Sequence, residues 1–338
     1  MTVTRIRSRR WVAVAALASA AALGLSACGG DSGSSASSIN LVEYSVPKPA
    51  YDALATAFKK TSAGKDTTVR ASYGPSGTQS KNVLAGQKAD YVGFSVEPDM
   101  TKLVPSKVAA DWNSGPTKGI VSDSVVVIVV REGNPLGIRN WDDLVTKSGV
   151  KIVTPSPSSS GSAKWNILAA WSHVTATGGT EAEATAYLKK FYSRIVSKAQ
   201  SGSVATQQFE AGTGNVLISY ENEAITARAK GAKLDYIVPP QTVLIENPAA
   251  VTKGASKAAK DFLKFVLTDE GQRIFAGTGF RPVTDGVKVG TVKGANDPSN
   301  PFPTPAKLIT VEQLGGWKTV NEKFFGDNGI DTKIEGSS

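Results

Sequence analysis

The sequence predicts an α/β protein with parallel sheets, large enough for two compact lobes. Three observations carry this expectation. Short apolar or β-branched runs alternate with segments of helical period along the whole chain. Several of these runs pass directly into Gly- or Ser-rich turns that open a helix. The 338 residues, 41% hydrophobic and 20% charged, also exceed what one small core requires. There is no repeat of fixed period.

Taken in order, residues 39–44 read as the first strand, and Tyr44-Ser45-Val46-Pro47 leads into a helix over 48–60, with Tyr51, Leu54, Ala55 and Phe58 on one face. Residues 68–72 read as a second strand, entering Gly74-Pro75-Ser76-Gly77-Thr78-Gln79 and a helix to Gly86. Residues 89–94 and 122–131 (SDSVVVIVVR) follow as strands, the second apolar enough to be buried on both faces. After the turn at Glu132–Pro135, a short helix opens at 141–144 and a strand at 151–154 feeds the stretch TPSPSSSGSAKWNILAAW, Thr154 to Trp171. There Trp165, Leu168, Ala169 and Trp171 recur as one face of an amphipathic helix would, so Ser160 falls at the N-cap. Helices are expected over 180–195 and from Gln200-Ser201-Gly202-Ser203 to Ala211, a strand over 216–219, and a helix opening at Tyr220-Glu221-Asn222-Glu223. Later come strands at 234–238, 242–245 and 249–251, helices at 257–267 and 269–276, an extended tail over 290–305, and a helix over 311–325.

Three of these helix starts share one chemistry. At a helix N-terminus the backbone N–H groups have no carbonyl within the helix, and the dipole is positive there. Hydroxyl-rich turns without bulk, as at Ser76-Gly77, Ser160-Gly161-Ser162 and Ser201-Gly202, let an anion reach those donors. The same features also cap a purely structural helix. A strand, tight turn and helix in succession is the usual ligand site at the carboxyl edge of an open α/β sheet.

The formal charge is +9, of which Arg5, Arg7, Arg9 and Arg10 contribute four, leaving +5 for the rest once they are set aside. That balance suits an anionic ligand or surroundings. The basic residues are scattered without interleaved aromatics, which argues against nucleic acid. The arginine-rich start and the apolar run Trp11 to Leu25 form a targeting segment over 1–27, too short for a comfortable membrane span. It ends in Leu25-Ser26-Ala27-Cys28, similar to a bacterial lipobox, in which Cys28 becomes the lipidated first residue. Residues 28–38 then form a flexible tether, and the single cysteine leaves no disulfide to hold the fold. The expectation is a soluble body tied by lipid to the outer face of the cell membrane.

Catalytic constellations are missing. His173 is the one histidine and reads as a surface or interhelix residue. No Ser-His-Asp or Cys-His site can be assembled, and no ligand cluster for zinc. Ser-x-x-Lys occurs three times, at Ser45–Lys48, Ser62–Lys65 and Ser148–Lys151, which shows how cheap the pattern is. There is no Walker A sequence and no G-x-G-x-x-G after a strand. Glu221 and Glu223 lie two apart on a helix and do not face each other; the helix dipole favours them in the first turn. A serine-dependent hydrolase using Ser160 or Ser76 with Lys164 is the alternative of another class.

Taken together, the blocks Gly74-Pro75-Ser76-Gly77-Thr78-Gln79, Thr154 to Trp171, Val216-Leu217-Ile218-x-Tyr220-Glu221-Asn222-Glu223-Ala224, Arg281-Pro282 and Gly315-Gly316-Trp317 resemble the sulfate/thiosulfate-binding proteins of bacterial ABC importers. The resemblance implies the two-lobed type II periplasmic-binding-protein fold, mixed mostly parallel sheets joined by crossover strands. Lobe 1 would comprise 39–121 and 244–289, lobe 2 122–243, with 290–338 packing on both. It implies a dianion held by the backbone N–H groups of Ser45, Ser76, Gly161 and Ser162, the Ser160 hydroxyl, an N–H near Gly202, and Tyr220. It further implies an ABC permease as partner, no cofactor, no metal, and a monomer. Three departures are visible. Tyr220 stands where the family carries an indole donor, Ser45 where an aspartate is common, and Ser162 where a glycine is usual. Tyrosine ligation is similar to that of molybdate/tungstate binders of the same fold, which makes those ions the in-class alternative.

Overall fold

The computed structural model describes residues 37–336. The targeting segment, Cys28 and most of the tether lie outside the described residues. The elements, in chain order, are β1 (Ser38–Tyr44), α1 (Lys48–Phe58), β2 (Thr68–Gly74), α2 (Ser76–Leu84), β3 (Tyr91–Gly93), α3 (Glu97–Thr101), β4 (Ile120–Arg131), α4 (Asp143–Thr146), β5 (Ile152–Pro155), α5 (Gly161–Ala176), α6 (Glu181–Tyr192) and β6 (Ile195–Ala199). There follow α7 (Gly202–Glu210), β7 (Val216–Tyr220), α8 (Glu221–Ala229), β8 (Leu234–Ile237), β9 (Gln241–Val251), α9 (Lys257–Val266), α10 (Asp269–Gly277), β10 (Lys307–Ile309), α11 (Gly316–Val320) and α12 (Ile330–Gly336).

The strands are ordered β2-β1-β3-β9-β4-β7-β5-β6, with β10 on β9 and β8 on β4. Two parallel blocks form: β1 pairs with β2 and β3, and β5 pairs with β6 and β7. The long strands β4 and β9 join them. Ser122–Val125 of β4 runs antiparallel to Leu244–Asn247 of β9. Beyond that shared stretch, β9 pairs with β3 of the first block and β4 with β7 of the second. These are crossover strands, and the sheet is mixed as expected. Residues 125–130 of β4 are buried throughout, as its run of valines and isoleucine demands, although all its partners are antiparallel. The two apolar runs expected as strands at 242–245 and 249–251 are one strand, β9, because Glu246-Asn247-Pro248 stays extended opposite β4.

Helix α5 departs from its expected amphipathicity. Every residue from Gly161 to His173 except Lys164 is buried. One side lies on the sheet, and the other is covered by the C-terminal segment. The Trp165 and Trp317 rings meet edge to face at 4.9 Å, and those of Trp171 and Phe324 at 5.0 Å. That segment is not the single helix expected over 311–325. Gly315 and Gly316, at φ 92° and 82°, break it into a 3-10 turn, α11 and a π turn. Strands β6 and β10 and helices α3 and α12 were not foreseen, being short runs without a clear period. His173 is an interhelix residue, stacked on Trp141 and edge-on to Tyr187, with Nε2 3.1 Å from Asp142 Oδ1.

An aromatic cluster of Tyr51, Phe58, Tyr91, Phe262 and Phe275 fastens α1, α9 and α10 to the first block. Each such ring contributes about 1.5–3 kcal/mol by burial. Gln272, fully buried, ties this layer to the crossover: its amide donates to Val121 O at 3.0 Å and Val266 O at 2.9 Å and accepts from Val283 N at 2.9 Å. Gln272→Leu keeps the volume but orphans two buried carbonyls, those of Val121 and Val266, and the half-buried Val283 N–H. It is expected to lower stability by about 3 kcal/mol or more, read as a fall in the urea midpoint at unchanged m.

Candidate functional site

Every predicted site residue lies at the carboxyl end of a parallel strand or on the turn that follows it: Ser45 after β1, Ser76 after β2, Ser160 to Ser162 after β5, Gly202 after β6, Tyr220 ending β7. The two blocks point these ends at one another. The helix starts differ in capping, and those of α2 and α5, like those of α1, α3, α4 and α8, have no side-chain cap. Thr180, Ser256 and Thr268 each accept a hydrogen bond from an N–H of the helix they cap. Ser160, extended at φ −110° and ψ 123°, makes no such bond, and α2 begins after Pro75, which has no side chain to offer. Only α7 is capped, by Ser201 Oγ accepting from Val204 N at 3.3 Å. Among the described residues, the N–H groups of Ser76, Gly161, Ser162 and Gly202 donate to no protein acceptor.

These starts come together. Gly77 N donates to Ser159 O at 3.2 Å, joining the α2 start to the turn before α5. Ser203 Oγ donates to Ser45 Oγ at 2.7 Å, joining the α7 start to the end of β1. A Cβ on Gly202 would lie 2.9 Å from Ser162 Oγ and 3.1 Å from both Glu223 Oε2 and Val46 Cγ2. One on Gly161 would lie 2.6 Å from Ser95 Oγ. Close approach rather than backbone angle therefore requires glycine at 161 and leaves little room for a side chain at 202. Ser76, Ser160, Gly161, Ser162, Gly202 and Tyr220 are buried, whereas Ser45 is half-buried and lines an open cavity of about 290 Å³ with Lys48, Tyr73, Ser203 and Glu223.

Sequence reasoning missed Ser95, on which the arrangement turns. Its N–H donates to Ser76 Oγ at 3.0 Å, and Ser76 Oγ donates to Asp99 Oδ2 at 2.7 Å. The Ser76 hydroxyl is thus committed to protein, and its N–H is the group left without a protein acceptor. The Ser95 carbonyl accepts from Trp165 Nε1 at 2.8 Å and Asn247 Nδ2 at 3.1 Å, and its hydroxyl pairs with Tyr220 Oη at 2.7 Å. One residue so links the first block, α5, the crossover strand and β7. Ser95 carries no Ser-Gly signature; its one signal is a position just past a strand's carboxyl end. Asn247 fell in the gap between the apolar runs at 242–245 and 249–251 and carried no reading.

Glu221 and Glu223 part ways. Glu221 is paired bidentately with Arg281, Nε at 2.7 Å and Nη2 at 3.0 Å; burial raises its pKa and Arg281 opposes the rise. Glu223 is fully enclosed beside Gly202, and burial pushes it up to about 7 against a hydrogen bond from Ser219 at 2.8 Å. Burial likewise raises Tyr220 and lowers Lys164. Among the described residues, no group of three or more His, Cys, Asp or Glu is placed to hold a metal.

Because Glu223 titrates near 7 folded and near 4.5 as a free side chain, its contribution to stability is present below pH 4.5 and lost as pH rises through about 7. Ligand-free protein is expected to lose up to about 3 kcal/mol through this group between pH 4.5 and 7.5. Glu223→Gln should flatten that part of the pH profile, measured by urea denaturation at both ends.

A family model described as bacterial extracellular solute-binding protein matches residues 39–281. The chain is 38% identical to the sulfate-binding protein of Synechococcus elongatus, over 97% of this chain and 96% of that one. It is 30% identical to the thiosulfate-binding protein of Pseudomonas aeruginosa, over 87% and 90%. Among solved structures it is similar to the sulfate-binding protein SubI from Mycobacterium tuberculosis H37Rv, with 43% identity, a TM-score of 0.80, and coverage of 86% of this chain and 99% of that one. The crossover topology, the convergent strand ends and these matches lead to one conclusion: the chain belongs to the bacterial extracellular solute-binding proteins.

Proposed function

We propose that this chain is an extracytoplasmic receptor that captures sulfate or thiosulfate between its two lobes and delivers it to an ABC permease. One observation carries the reading. Four main-chain N–H groups from three helix starts, those of Ser76, Gly161, Ser162 and Gly202, converge without a protein acceptor. Buried donors of this kind need a partner, and a dehydrated anion supplies one without covalent chemistry. The uncapped Ser160 hydroxyl, the Ser45 N–H and Tyr220 complete the proposed shell. Burial favours the neutral acid at Glu223, so the carboxyl beside Gly202 opposes a dianion less than its charge count suggests. Names of relatives that bind sulfate or thiosulfate support the choice of ion.

In this reading the lobes are 39–121 with 244–289, and 122–243, closing about the crossover strands, with 290–338 laid over both. Residues 1–27 are a signal peptide, Cys28 carries the lipid, and the receptor works as a monomer at the outer face of the membrane.

Calorimetric titration of ligand-free protein with sulfate, thiosulfate, molybdate and phosphate tests the assignment; tight molybdate binding with silent sulfate overturns the choice of ion. Ligand at a hundred times its Kd should stabilise the fold by about 2.7 kcal/mol. Ser160→Ala and Tyr220→Phe each remove a hydroxyl from a buried charged ligand's surroundings, and each is expected to weaken sulfate binding by about 1.5–3 kcal/mol.

A further inference from the structure

The first parallel block carries its anion donors at one end and a concentration of positive charge at the other. At the amino edge of β1, β2 and β3, the segments 59–67, 86–90, 106–108 and 252–256 hold six lysines, Lys59, Lys60, Lys65, Lys88, Lys107 and Lys253, against two aspartates. The fold brings them to one edge. Helix α1 leaves the carboxyl end of β1 and so returns the chain, with Lys59 and Lys60, to the amino end. Ser37, where the described chain begins, is held to the 59–67 turn: its carbonyl accepts from Thr68 N at 2.8 Å and its hydroxyl pairs with Thr67 Oγ1 at 2.8 Å. Strand β9 runs antiparallel to β3, so its carboxyl end reaches the same edge. There Thr252 N donates to Asp90 O at 3.0 Å and Lys253 N to Lys107 O at 2.8 Å.

Little in these segments offsets the lysines. Asp90 is buried and turned inward, one of its oxygens accepting from Asn40 N at 2.8 Å and Asn40 Nδ2 at 2.6 Å. Asp66 is the exposed carboxylate among them. Five of the lysines are exposed and Lys107 is half-buried. Among the described residues, none of the six belongs to an ion pair. Lys88, Lys107 and Lys253 line an open cavity of about 420 Å³ with Gly86 and Ser106. Like charges gathered in this way repel one another and attract an anionic surface.

The place of the edge in the chain says which surface. Cys28, the proposed lipid site, precedes Ser37 by nine residues, at most about 30 Å of extended chain. A bilayer therefore stays close to this edge, and a lipid with a basic patch holds a protein to it more firmly than either alone. We propose that the lysine edge is a membrane-docking surface that takes the phosphate headgroups of anionic phospholipid, so that the receptor stands on its first lobe. The inference rests on the lipid-anchored reading above. Strand β1 runs about 20 Å from this edge to the anion donors, so the docked receptor holds its cleft clear of the headgroups.

The test places the full chain, purified from membranes, on vesicles of phosphatidylcholine alone or with about a third phosphatidylglycerol. A water-soluble acylating reagent is added, and the rate at each lysine is read by mass spectrometry. On the anionic vesicles the six lysines are expected to react about fivefold more slowly, while the exposed Lys190 and Lys233 keep their rates. Salt at about 0.5 M should abolish the difference. Lys88→Gln, Lys107→Gln and Lys253→Gln together should return Lys59, Lys60 and Lys65 to the rates seen on phosphatidylcholine. Equal rates at the six lysines on both kinds of vesicle overturn the docking surface. The same protection from inorganic phosphate without vesicles overturns the membrane as its partner. A chain that leaves phosphatidylcholine vesicles refutes the lipid on Cys28; sedimentation with the anionic vesicles then still supports the surface, and its absence overturns it. Sulfate titrated into the same sample separates the two readings, since silent sulfate with protected lysines refutes the ligand and leaves the docking surface standing.

Discussion

The first turn of an α-helix presents N–H groups that its own carbonyls cannot reach, and the rest of this structure is arranged around where those groups go. At α6, α9 and α10 a threonine or serine side chain absorbs one of them, and the helix is closed off. At α2 and α5 no side chain does, although Ser160 stands in the capping position with a hydroxyl to offer. Leaving such donors buried and uncapped is unfavourable in an empty protein. It becomes favourable when an acceptor arrives, and the free energy withheld from folding is then available to binding.

The sheet makes that concentration possible. Two parallel blocks set their carboxyl ends face to face because β4 and β9 pair with each other at the crossing, β9 going on to β3 of the first block and β4 to β7 of the second. Direct hydrogen bonds already cross the gap, from Gly77 to Ser159, from Ser203 to Ser45 and from Trp165 to Ser95. Ser95 alone ties four elements through its three polar groups. A site built this way has its donors positioned by main chain, which repositions only if a whole lobe moves.

Much of this was legible in the sequence, and the boundary of legibility has a physical meaning. Patterns local to one element could be read: the valine run of β4, the turn-to-helix starts at Ser76, Ser160 and Gly202, the helix α6 within 180–195. Features that depend on a distant partner could not. Helix α5 looked amphipathic because its aromatic residues recur at helical spacing, yet its opposite face is covered by Trp317 and Phe324, some 150 residues away. Glu223 read as a first-turn carboxylate facing the dipole, and only its enclosure beside Gly202 and Thr206 reveals a group titrating near neutrality. Ser95 is an unremarked serine until four neighbours from elsewhere in the chain close on it.

The cover over α5 has a consequence in time. Trp317 and Phe324 follow α5 by some 150 residues, and the helix whose start offers Gly161 and Ser162 is not covered on that side until they arrive. During synthesis, therefore, some 150 further residues must follow α5 before that face of it is buried. A body that cannot finish itself early stays threadable for longer, which suits a polypeptide destined to cross a membrane before it works.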